Sequence, residues 1–284
     1  MQLNQGDVAI VTGASKGLGV HIARSLADRG VNLVLAARSA QALDEVARSL
    51  RNNSVKVLTA PTDVSRPDAL NNLVSTAISH FGRIDVLINN AGAEYALRFD
   101  ELTAEEIQNM IAVNLSGPIL LSRFVLPHML RNGRGHIVNI ASVAGVMSSP
   151  YEEPYVATKH GLVGFTRSLR LSAQELKWPI SASVICPGFM EGAGMYEAMK
   201  KNHGVTAPST MGVTNAGKLG AAVIHAIESD APDIILMKGA PRMIIALLAL
   251  MPRAYEFITA KLDTSAVFRT VAQGHLSERK QKHG

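Results

Sequence analysis

Residues 8–19 read VAIVTGASKGLG, an apolar run that leads into a glycine-rich stretch. The apolar, β-branched run Val8–Thr12 predicts a buried strand. After it, Gly13 permits a tight turn, Gly17 lets the backbone approach a pyrophosphate, and Gly19 lets a following helix pack close to the sheet. The N-terminus of such a helix offers unpaired N–H groups and partial positive charge to an anion. The stretch therefore predicts a strand–turn–helix unit that binds a dinucleotide, with a glycine turn that binds nothing as the alternative.

The rest of the chain alternates short apolar runs with amphipathic stretches, which is typical of βαβ units and a parallel sheet. The predicted strands are nearly continuous apolar runs, as expected where helices cover both faces: Val8–Thr12, Asn32–Ala37, Lys56–Ala60, Val86–Asn89, His136–Ile140, Ser181–Cys186 and Asp233–Met237. Helical spacing predicts helices over Leu18–Arg29, Ala40–Leu50, Asp68–Phe81 and Pro154–Lys177.

We therefore expect one α/β domain of the doubly wound Rossmann type, with a mainly parallel seven-stranded sheet flanked by helices. Residues 1–240 would form this body, and residues 241–284 would add apolar C-terminal helices and a basic tail to the same domain. Ligands of such sheets bind beyond the carboxyl ends of the strands.

Composition places the chain among globular proteins. It has 284 residues, 47% of them hydrophobic and 18% charged, and a formal net charge of +5, which argues against disorder.

The single cysteine, Cys186, excludes an internal disulfide and fits a reducing compartment, so we expect a cytoplasmic protein that is at most peripheral at a membrane. The basic run Arg279–His283 predicts a solvated tail rather than a nucleic-acid-binding arm, because no aromatic residues interleave with it. The nine histidines show no metal-ligand spacing, so we expect no metal and no nucleic-acid partner.

The end of the second predicted strand bears on the choice between NAD and NADP. Sites for NAD usually place an acidic residue there to bind the free ribose 2′-hydroxyl, but this strand ends in Ala36-Ala37-Arg38-Ser39. Arg38, together with Lys16 of the glycine-rich stretch, could bind a 2′-phosphate instead. We therefore expect NADP(H), with NAD as the alternative if Arg38 is an ordinary exposed charge.

Tyr155 and Lys159 lie four residues apart in a predicted helix, and therefore on one face of it. Reduction of a carbonyl needs a proton donor, and a phenol with a pKa of about 10 works best at neutral pH when a nearby cation lowers that pKa. Lys159 would supply the cation, and Ser142, just past the fifth strand, would orient the substrate carbonyl.

The spacing of Tyr155 and Lys159 alone is weak evidence, because Tyr196 and Lys200 repeat it, and Ser183 precedes Tyr196 by the same thirteen residues that separate Ser142 from Tyr155. Since Ser183 falls inside a predicted strand, we interpret the second copy as a decoy.

With these motifs in this order, the chain resembles the short-chain dehydrogenase/reductase family over about residues 6 to 238. The motifs that carry the resemblance are TGASKGLG at 12–19, Asp63-Val64, Asn89-Asn90-Ala91-Gly92, Asn114, Ser142, Tyr155 with Lys159, and Pro187-Gly188. Each motif is weak by itself, but the ordered set is specific.

The resemblance implies a catalytic set and a cofactor-binding set. The catalytic residues would be Asn114, Ser142, Tyr155 and Lys159, with Asn114 holding a water that relays protons to Lys159. Asp63 and Val64 would contact the adenine, and Asn90 would contact the ribose. Pro187, Gly188 and Met190 would contact the nicotinamide. The cofactor-binding set comprises Gly13, Ser15, Lys16, Gly17, Leu18, Gly19, Arg38, Asp63, Val64, Asn90, Ala91, Gly92, Tyr155, Lys159, Pro187, Gly188 and Met190.

One departure from the family pattern lies just after Pro187-Gly188. The family often carries a threonine four residues beyond that glycine, where this chain has Gly192. Four methionines populate the following region, and methionine adapts to irregular apolar ligands. We interpret residues 190–211 as a substrate lid, with plain helix packing of the methionines as the alternative.

The other departure is the C-terminus, where the apolar run Met243–Met251 and a further helical stretch follow the last strand. This extension resembles family members that act on steroids, retinoids or fatty acyl chains. A helix that is apolar all round must be buried, so we expect residues 242–262 to pack on their own domain or in a homodimer or homotetramer. Peripheral membrane contact, flanked by Arg242 and Arg253, is the alternative.

These features together predict reversible hydride transfer between NADP(H) and a carbonyl or secondary alcohol of an apolar substrate, such as a 3-oxoacyl thioester, steroid or long-chain aldehyde. Tyr155 would act as general acid or base. The alternative among enzymes is an NAD-dependent alcohol dehydrogenase. The alternative outside catalysis is a silent NADP(H)-binding sensor on the same fold, although a sensor would need neither Tyr155 nor Ser142.

Overall fold

Nine strands form two sheets in the computed structural model, which describes residues 1–50, 55–208, 211–238 and 242–283. The strands are β1 Val8–Thr12, β2 Asn32–Ala37, β3 Val57–Pro61, β4 Val86–Asn89, β5 Gly135–Ile140, β6 Ile180–Pro187, β7 Met190–Glu191, β8 Thr214–Asn215 and β9 Asp233–Leu236. Seven of them make one parallel sheet in the order β3-β2-β1-β4-β5-β6-β9, and β7 and β8 form a separate short pair. The predicted fold class is confirmed, and each predicted strand matches an observed one to within one residue at either end.

Helices cover both faces of the large sheet, which explains why its central strands are apolar throughout. They are α1 Leu18–Ala27, α2 Ala40–Leu50, α3 Pro67–Phe81, α4 Ala104–Ile111, α5 Gly117–Arg131, α6 Glu153–Glu175, α7 Met195–His203, α8 Gly217–Glu228, α9 Arg242–Leu250, α10 Pro252–Lys261 and α11 Ala266–His283. One core joins α1, α2 and α8 to the sheet, and the other joins α3, α5 and α6 to its opposite face.

The strand order reverses at β1, which lies between β2 and β4. The registers keep the carboxyl ends of neighbouring strands nearly level: Thr12 is opposite Ala36, and Asn89 is opposite Asn139. The chain leaves β1 toward one side and β4 toward the other, so a crevice opens at this edge of the sheet. Such a reversal is where open α/β sheets bind their ligands.

A buried chain of amide and hydroxyl groups fixes α6 against the sheet. Asn89 Nδ2 donates to Asn139 Oδ1 at 2.8 Å, and Asn139 Nδ2 donates to Thr166 Oγ1 at 2.8 Å. Thr166 in turn donates to the Leu162 carbonyl, one turn earlier in α6, at 2.6 Å. Because buried polar groups are costly unless they are paired, this network sets the position of α6, the helix that carries Tyr155.

The helical stretch Ala104–Arg131 is long and apolar enough to cross a membrane by length and composition. In this fold it serves as a core helix, since Leu121, Val125 and Met129 are buried against the sheet. A π-helical turn over Ala112–Ser116 interrupts it. Such turns occur often at functional sites, and this one holds Asn114.

The C-terminal helices differ in how much of their apolar surface they bury. In α9, Ile245 is buried, whereas Leu247 and Leu250 are 56% and 80% exposed. Phe257 of α10 and Leu262 just beyond it are also exposed. Packing on the protein's own domain therefore accounts for one face of this extension, and its contact with a second copy or with a membrane stays a prediction. The predicted boundary at residue 240 lies outside the described residues.

The prediction of a solvated basic tail is wrong for its first residue. Residues 266–283 form α11, with Val267, Val271 and Ala272 buried. Arg279 donates to the carbonyl of Glu101 at 2.8 Å and forms an ion pair with Glu106. The sequence pattern missed this helix because its apolar residues are few and its C-terminal end is strongly basic.

Candidate active site

A cavity of about 1320 Å³ opens at the carboxyl edge of the sheet. Most of the residues predicted from the motifs line it, although they come from loops that are far apart in the sequence. These lining residues are Gly13, Ser15, Lys16, Gly17, Leu18, Arg38, Asp63, Val64, Asn90, Ala91, Gly92, Ser142, Tyr155, Lys159, Pro187, Gly188 and Met190. Gly19 and Asn114 do not line the cavity, but each contacts a residue that does: Gly19 packs against Gly13, and Asn114 is hydrogen-bonded to Ala93.

The glycine-rich turn after β1 has the shape that a phosphate site requires. Gly13 and Gly17 have φ values of +65° and +63°, a conformation that favours glycine. A Cβ on Gly19 would lie 2.2 Å from the Gly13 carbonyl oxygen, so the turn itself excludes a side chain there. At Gly17 a Cβ would meet only the backbone of Gly194, at 3.4 Å. Gly194 therefore lies against Gly17 at the wall of the cavity, and α1 begins beside it.

Hydrogen bonds tie this turn to the loop after β4. Thr12 Oγ1 accepts from the N–H groups of Asn90 and Ala91, at 3.0 and 3.1 Å. Asn90 Nδ2 donates back to the Thr12 carbonyl at 2.9 Å. A Cβ on Gly13 would lie 2.9 Å from Ala91 Cα, so the two loops touch. Thr12 and Asn90 thus hold the two sides of the crevice in register.

Two exposed cations and one acidic residue, from the loops after β1, β2 and β3, line the cavity. Lys16 and Arg38 are exposed, and both line the cavity. Hydrogen bonds from Ser65 lower the pKa of Asp63, and the nearby charge of Arg38 lowers it further. The arrangement offers positive charge to an anion, and the ionised Asp63 beside it can accept hydrogen bonds.

Ser142, Tyr155 and Lys159 come together as predicted. Ser142 begins a short 3₁₀ turn over Val143–Gly145 and accepts from Ala144 N at 3.1 Å. Its hydroxyl lies close enough to the Tyr155 phenol to lower the pKa of that phenol. Lys159 Nζ lies 5.5 Å from the centre of the Tyr155 ring. The three groups therefore form one cluster in the cavity.

The pKa of the Tyr155 phenol is raised well above its ordinary value. Burial is the main cause, the carboxyls of Glu94 and Glu152 add to it, and the nearby Ser142 hydroxyl works in the opposite direction. The sequence analysis expected Lys159 to lower this pKa. The direction is reversed because burial and two acidic side chains outweigh a single cation. Tyr155 is therefore protonated at neutral pH.

Lys159 is itself buried, and burial lowers its pKa to about 8, against the raising influence of Cys186 and Glu94. Its Nζ donates to the Ile140 carbonyl at 3.1 Å. With that pKa the ammonium remains mostly charged at pH 7 and loses its charge as the pH rises through about 8.

Asn114 acts on the site through the main chain. Its Oδ1 accepts from Ala93 N and its Nδ2 donates to Ala93 O, both at 2.8 Å. Nδ2 also donates to Thr158 Oγ1 at 3.2 Å, and Thr158 donates to the Tyr155 carbonyl at 2.7 Å. Asn114 thus joins the loop after β4 to α6. The water relay that the family resemblance implies for it stays a prediction.

The second Tyr–Lys pair is placed differently. Tyr196 Oη accepts from Ala207 N at 3.0 Å, and its ring packs on Phe189 with ring centres 5.0 Å apart. Lys200 is exposed and pairs with Glu191. Ser183, in β6, donates to the carbonyl of Ala231, which precedes β9. These three residues therefore do not form a second cluster like that around Tyr155.

The region interpreted as a lid is part cavity wall and part packed core. Met190 and Met195 line the cavity, whereas Met199 and Met211 also pack in an apolar cluster with Phe189 and α11. Gly194 lies over the turn at Gly17. Apolar packing therefore accounts for Met199 and Met211, and the interpretation of the segment as a substrate lid stays a prediction. Residues 209–210 lie outside the described residues.

Sequence reasoning missed two cavity residues beside Tyr155, namely Glu94 and Glu152. Each looks like an ordinary surface glutamate in the sequence, one in the loop after β4 and the other next to Glu153. The available signal was their position, since each lies within three residues of a family motif. Among the residues that the structure describes, no group of three or more His, Cys, Asp or Glu side chains is placed to hold a metal ion.

The chain is similar to known proteins over most of its length. A family model described as "short chain dehydrogenase" matches residues 7–204. The ketoacyl reductase HetN of Nostoc sp. is 36% identical over 232 residues, which cover 81% of this chain and 78% of that protein. A D-beta-hydroxybutyrate dehydrogenase of Rhizobium meliloti is 36% identical over 187 residues, which cover 64% of this chain and 70% of that protein.

One similar protein of known structure was solved with a derivative of NADP bound to it. The alcohol dehydrogenase of the archaeon Thermococcus sibiricus, complexed with 5-hydroxy-NADP, superposes with a TM-score of 0.71 and 28% sequence identity. The match covers 83% of this chain and 98% of that one.

We predict that Lys159 titrates near pH 8 in the folded protein, because burial penalises its charged form. Competitive labelling with acetic anhydride across a pH series, read by mass spectrometry, gives the pKa of individual lysines. Lys200 is the control, since Glu197 and Glu191 raise its pKa. A Lys159 that titrates together with Lys200, or at higher pH, would contradict the electrostatics of this site.

Proposed function

The chain belongs to the short-chain dehydrogenase/reductase family, and we propose that it catalyses reversible hydride transfer between NADP(H) and a carbonyl or secondary alcohol of an apolar substrate. The family and the similar reductases and dehydrogenases support an oxidoreductase of secondary alcohols and carbonyls that uses a nicotinamide cofactor. The preference for NADP(H), the apolar substrate and the role of Tyr155 are the finer parts of the proposal.

One observation carries the proposal: a protonated phenol lies in the same cavity as a glycine turn shaped for a pyrophosphate. Tyr155 is buried, it lines the cavity together with Ser142, and Lys159 Nζ lies 5.5 Å from the centre of its ring. The turn at Gly13 and Gly17 lines the same cavity. A binding protein needs the turn, but it has no use for a buried acid beside a hydroxyl and a cation.

The residues present fit a nicotinamide dinucleotide. Contacts around Gly13 and Gly19 leave no room for a Cβ, Gly17 lines the cavity, and the N-terminus of α1 offers N–H groups to phosphates. When bound, the dinucleotide supplies or accepts the hydride. Lys159 would hold its ribose hydroxyls, and Pro187, Gly188 and Met190 would lie against its nicotinamide.

Tyr155 is suited to donate a proton to a carbonyl oxygen. Its raised pKa keeps the phenol protonated at neutral pH, which is the state that reduction requires. Ser142 would hold the carbonyl oxygen in place, and the charged Lys159 would stabilise the phenolate left after transfer. The reverse direction must first deprotonate a buried phenol, so the arrangement favours reduction at neutral pH.

The preference for NADP(H) rests on Lys16 and Arg38. Both are exposed cations that line the cavity, Lys16 from the turn after β1 and Arg38 from the end of β2, where a ribose 2′-phosphate would lie. The guanidinium of Arg38 can bind two phosphate oxygens at once. Position 38 is arginine and not the acidic residue that usually binds a free 2′-hydroxyl.

The apolar part of the substrate would lie against the C-terminal helices. Ile245 and Leu248 of α9 and Ile258 of α10 line the cavity, and Leu262 continues this wall. Mainly apolar walls with a few polar groups are typical of ligand pockets. A ketone with a long aliphatic or polycyclic body fits a cavity whose wall is apolar and whose few polar groups could hold the carbonyl.

We expect the purified protein to oxidise NADPH in the presence of apolar ketones, and Tyr155→Phe to lower this activity about 10³-fold, because it removes the general acid. The assay follows NADPH absorbance with a panel of long-chain, steroid and small carbonyl substrates. Tyr196→Phe, at the matching position of the second Tyr–Lys pair, is the control and should keep most of the activity. Tight NADPH binding with no turnover on any ketone would favour the sensor.

Arg38→Asp should weaken NADPH binding by about 10- to 100-fold, which is the value of a charge-assisted hydrogen bond, and should weaken NADH binding much less. Titration of NADPH and NADH by calorimetry measures both affinities. Arg48→Asp makes the same charge change at an exposed position of α2 that does not line the cavity. Unchanged NADPH affinity in Arg38→Asp would overturn the assignment of NADP(H).

A further inference from the structure

The C-terminal helices α9 and α10 carry a concentration of exposed apolar side chains. Among the described residues, eleven large apolar side chains are exposed, and six of them fall within residues 247–262. The two helices also pack on each other. Single exposed apolar residues are ordinary on a protein surface, whereas a large group of neighbours marks a site of interaction. We call this group the apolar patch, and its members are Leu247, Leu250, Met251, Phe257, Ile258 and Leu262.

The apolar patch meets the mouth of the cavity. Ile258 and Leu262 line the cavity, and they are also 37% and 50% exposed. The apolar wall that includes the buried Ile245 therefore continues to the protein surface. An apolar molecule that follows this wall reaches the cavity directly from the patch.

The outward face of α10 combines a phenylalanine with two cations. Arg253, Phe257 and Lys261 follow one another at intervals of four residues, which places them on one face of the helix, and all three are exposed. Lys261 Nζ lies 5.8 Å from the centre of the Phe257 ring. Residues 242–262 contain three cationic residues and one acidic residue. The segment therefore has a net positive charge beside its apolar side chains.

The net charge and the position of the mouth favour a lipid bilayer over a second copy of the chain. In a twofold dimer the same surface would face itself, which would bring two net positive segments together and close the mouth at Ile258 and Leu262. An anionic leaflet instead attracts the cations and leaves the mouth open to the acyl chains, in which apolar molecules dissolve.

The length of these helices limits how they can meet a bilayer. Helix α9 has 9 residues and α10 has 10, whereas a helix needs about 20 to span the hydrocarbon core. Neither helix can therefore cross a bilayer. A short helix with apolar and cationic side chains can lie in the interface, with the cations at the level of the headgroups.

We propose that the apolar patch docks the protein on the surface of a lipid bilayer with anionic headgroups. Leu247, Leu250 and Phe257 enter the boundary between headgroups and acyl chains. Arg253 and Lys261 contact the headgroup phosphates, and the cavity opens toward the acyl chains. The docking does not depend on the proposed function, but the entry of a ketone from the bilayer rests on it.

Co-sedimentation of the full-length protein with vesicles tests the docking without any need for turnover. We expect binding to vesicles of phosphatidylcholine that contain about one third phosphatidylglycerol. Binding to phosphatidylcholine alone should be at least about tenfold weaker, because each cation near an anionic surface raises the affinity about fivefold. Equal binding to both kinds of vesicle, or binding to neither, would overturn the proposal.

Leu250→Asp places a charge in the apolar patch without altering the cavity, since Leu250 is 80% exposed and does not line it. We expect this variant to lose at least about tenfold in affinity for the anionic vesicles, which is the value of burying one leucine side chain. Leu171→Asp is the matched control, because Leu171 of α6 is 65% exposed and lies outside the patch. It makes the same change of charge and should bind like the wild type. Wild-type affinity in Leu250→Asp, or an equal loss in Leu171→Asp, would contradict the proposal.

A second pair of variants tests the cations and replaces the first pair if Leu250→Asp fails to fold. Arg253→Gln combined with Lys261→Gln should lower the affinity for anionic vesicles at least about tenfold. Arg48→Gln combined with Lys56→Gln removes the same charge from exposed positions elsewhere and should have a much smaller effect. Equal losses in the two double variants would show that total charge alone attracts the protein, and would overturn the proposal.

Light scattering after size-exclusion chromatography, without lipid, distinguishes a bilayer from a second copy. We expect the wild type and Leu250→Asp to have the same oligomeric state. A lower oligomeric state in Leu250→Asp would show that a second copy covers the apolar patch, and it would overturn the proposal.

The readouts separate docking from the proposed function. A protein that binds anionic vesicles through the apolar patch but reduces no ketone supports docking and counts against the proposed function. If both hold, Leu250→Asp should lower the turnover of a long-chain ketone dissolved in anionic vesicles at least about fivefold. It should leave the turnover of a short, water-soluble ketone unchanged. An equal loss with both ketones would contradict the entry of substrate from the bilayer.

Discussion

The parallel register of the central strands is the constraint on which the rest of the structure depends. Because β1, β4, β5 and β6 point the same way with level carboxyl ends, every loop that follows them opens onto one edge. The glycine turn, Asn90, Ser142 and Pro187 become neighbours for this reason alone. Local hydrogen bonds then set the finer positions: Thr12 joins the loops after β1 and β4, and Asn114 joins the β4 loop to α6.

The site places charge where water cannot solvate it. A shift of the pKa of Lys159 from 10.5 to about 8 corresponds to roughly 3 kcal/mol of unfavourable burial of the ammonium. Glu94 and Glu152 add two carboxyls to the same cavity wall, and burial raises the pKa of both. Functional sites commonly trade stability for reactivity in this way. The buried network through Asn89, Asn139 and Thr166 gives α6 the rigid support that such a site needs.

Much of the fold and the site could be predicted from the sequence, since both depend on local patterns. Strands buried on both faces leave continuous apolar runs, and the residues that follow them must meet at one edge. Placement also distinguished Tyr155 from Tyr196, because Ser142 follows a strand whereas Ser183 lies inside one.

What could not be predicted depends on contacts between distant segments. The pKa of Tyr155 rises because Glu94 and Glu152, which belong to different loops, come together beside it. The basic end of the chain gives no pattern for α11, whose position depends on a buried face and on contacts of Arg279 with Glu101 and Glu106. The sequence likewise does not show what contacts the exposed face of α9, which carries Leu247 and Leu250.

The central claim is that this cavity transfers a hydride and a proton to a ketone. A single turnover with NADPH deuterated at the transferred position of nicotinamide C4 tests it most directly, with mass spectrometry of the recovered alcohol. We predict that the deuterium appears on the carbinol carbon of a long-chain ketone, and that Tyr155→Phe suppresses its appearance. Bound NADPH that keeps its deuterium in the presence of every ketone tested would contradict the account.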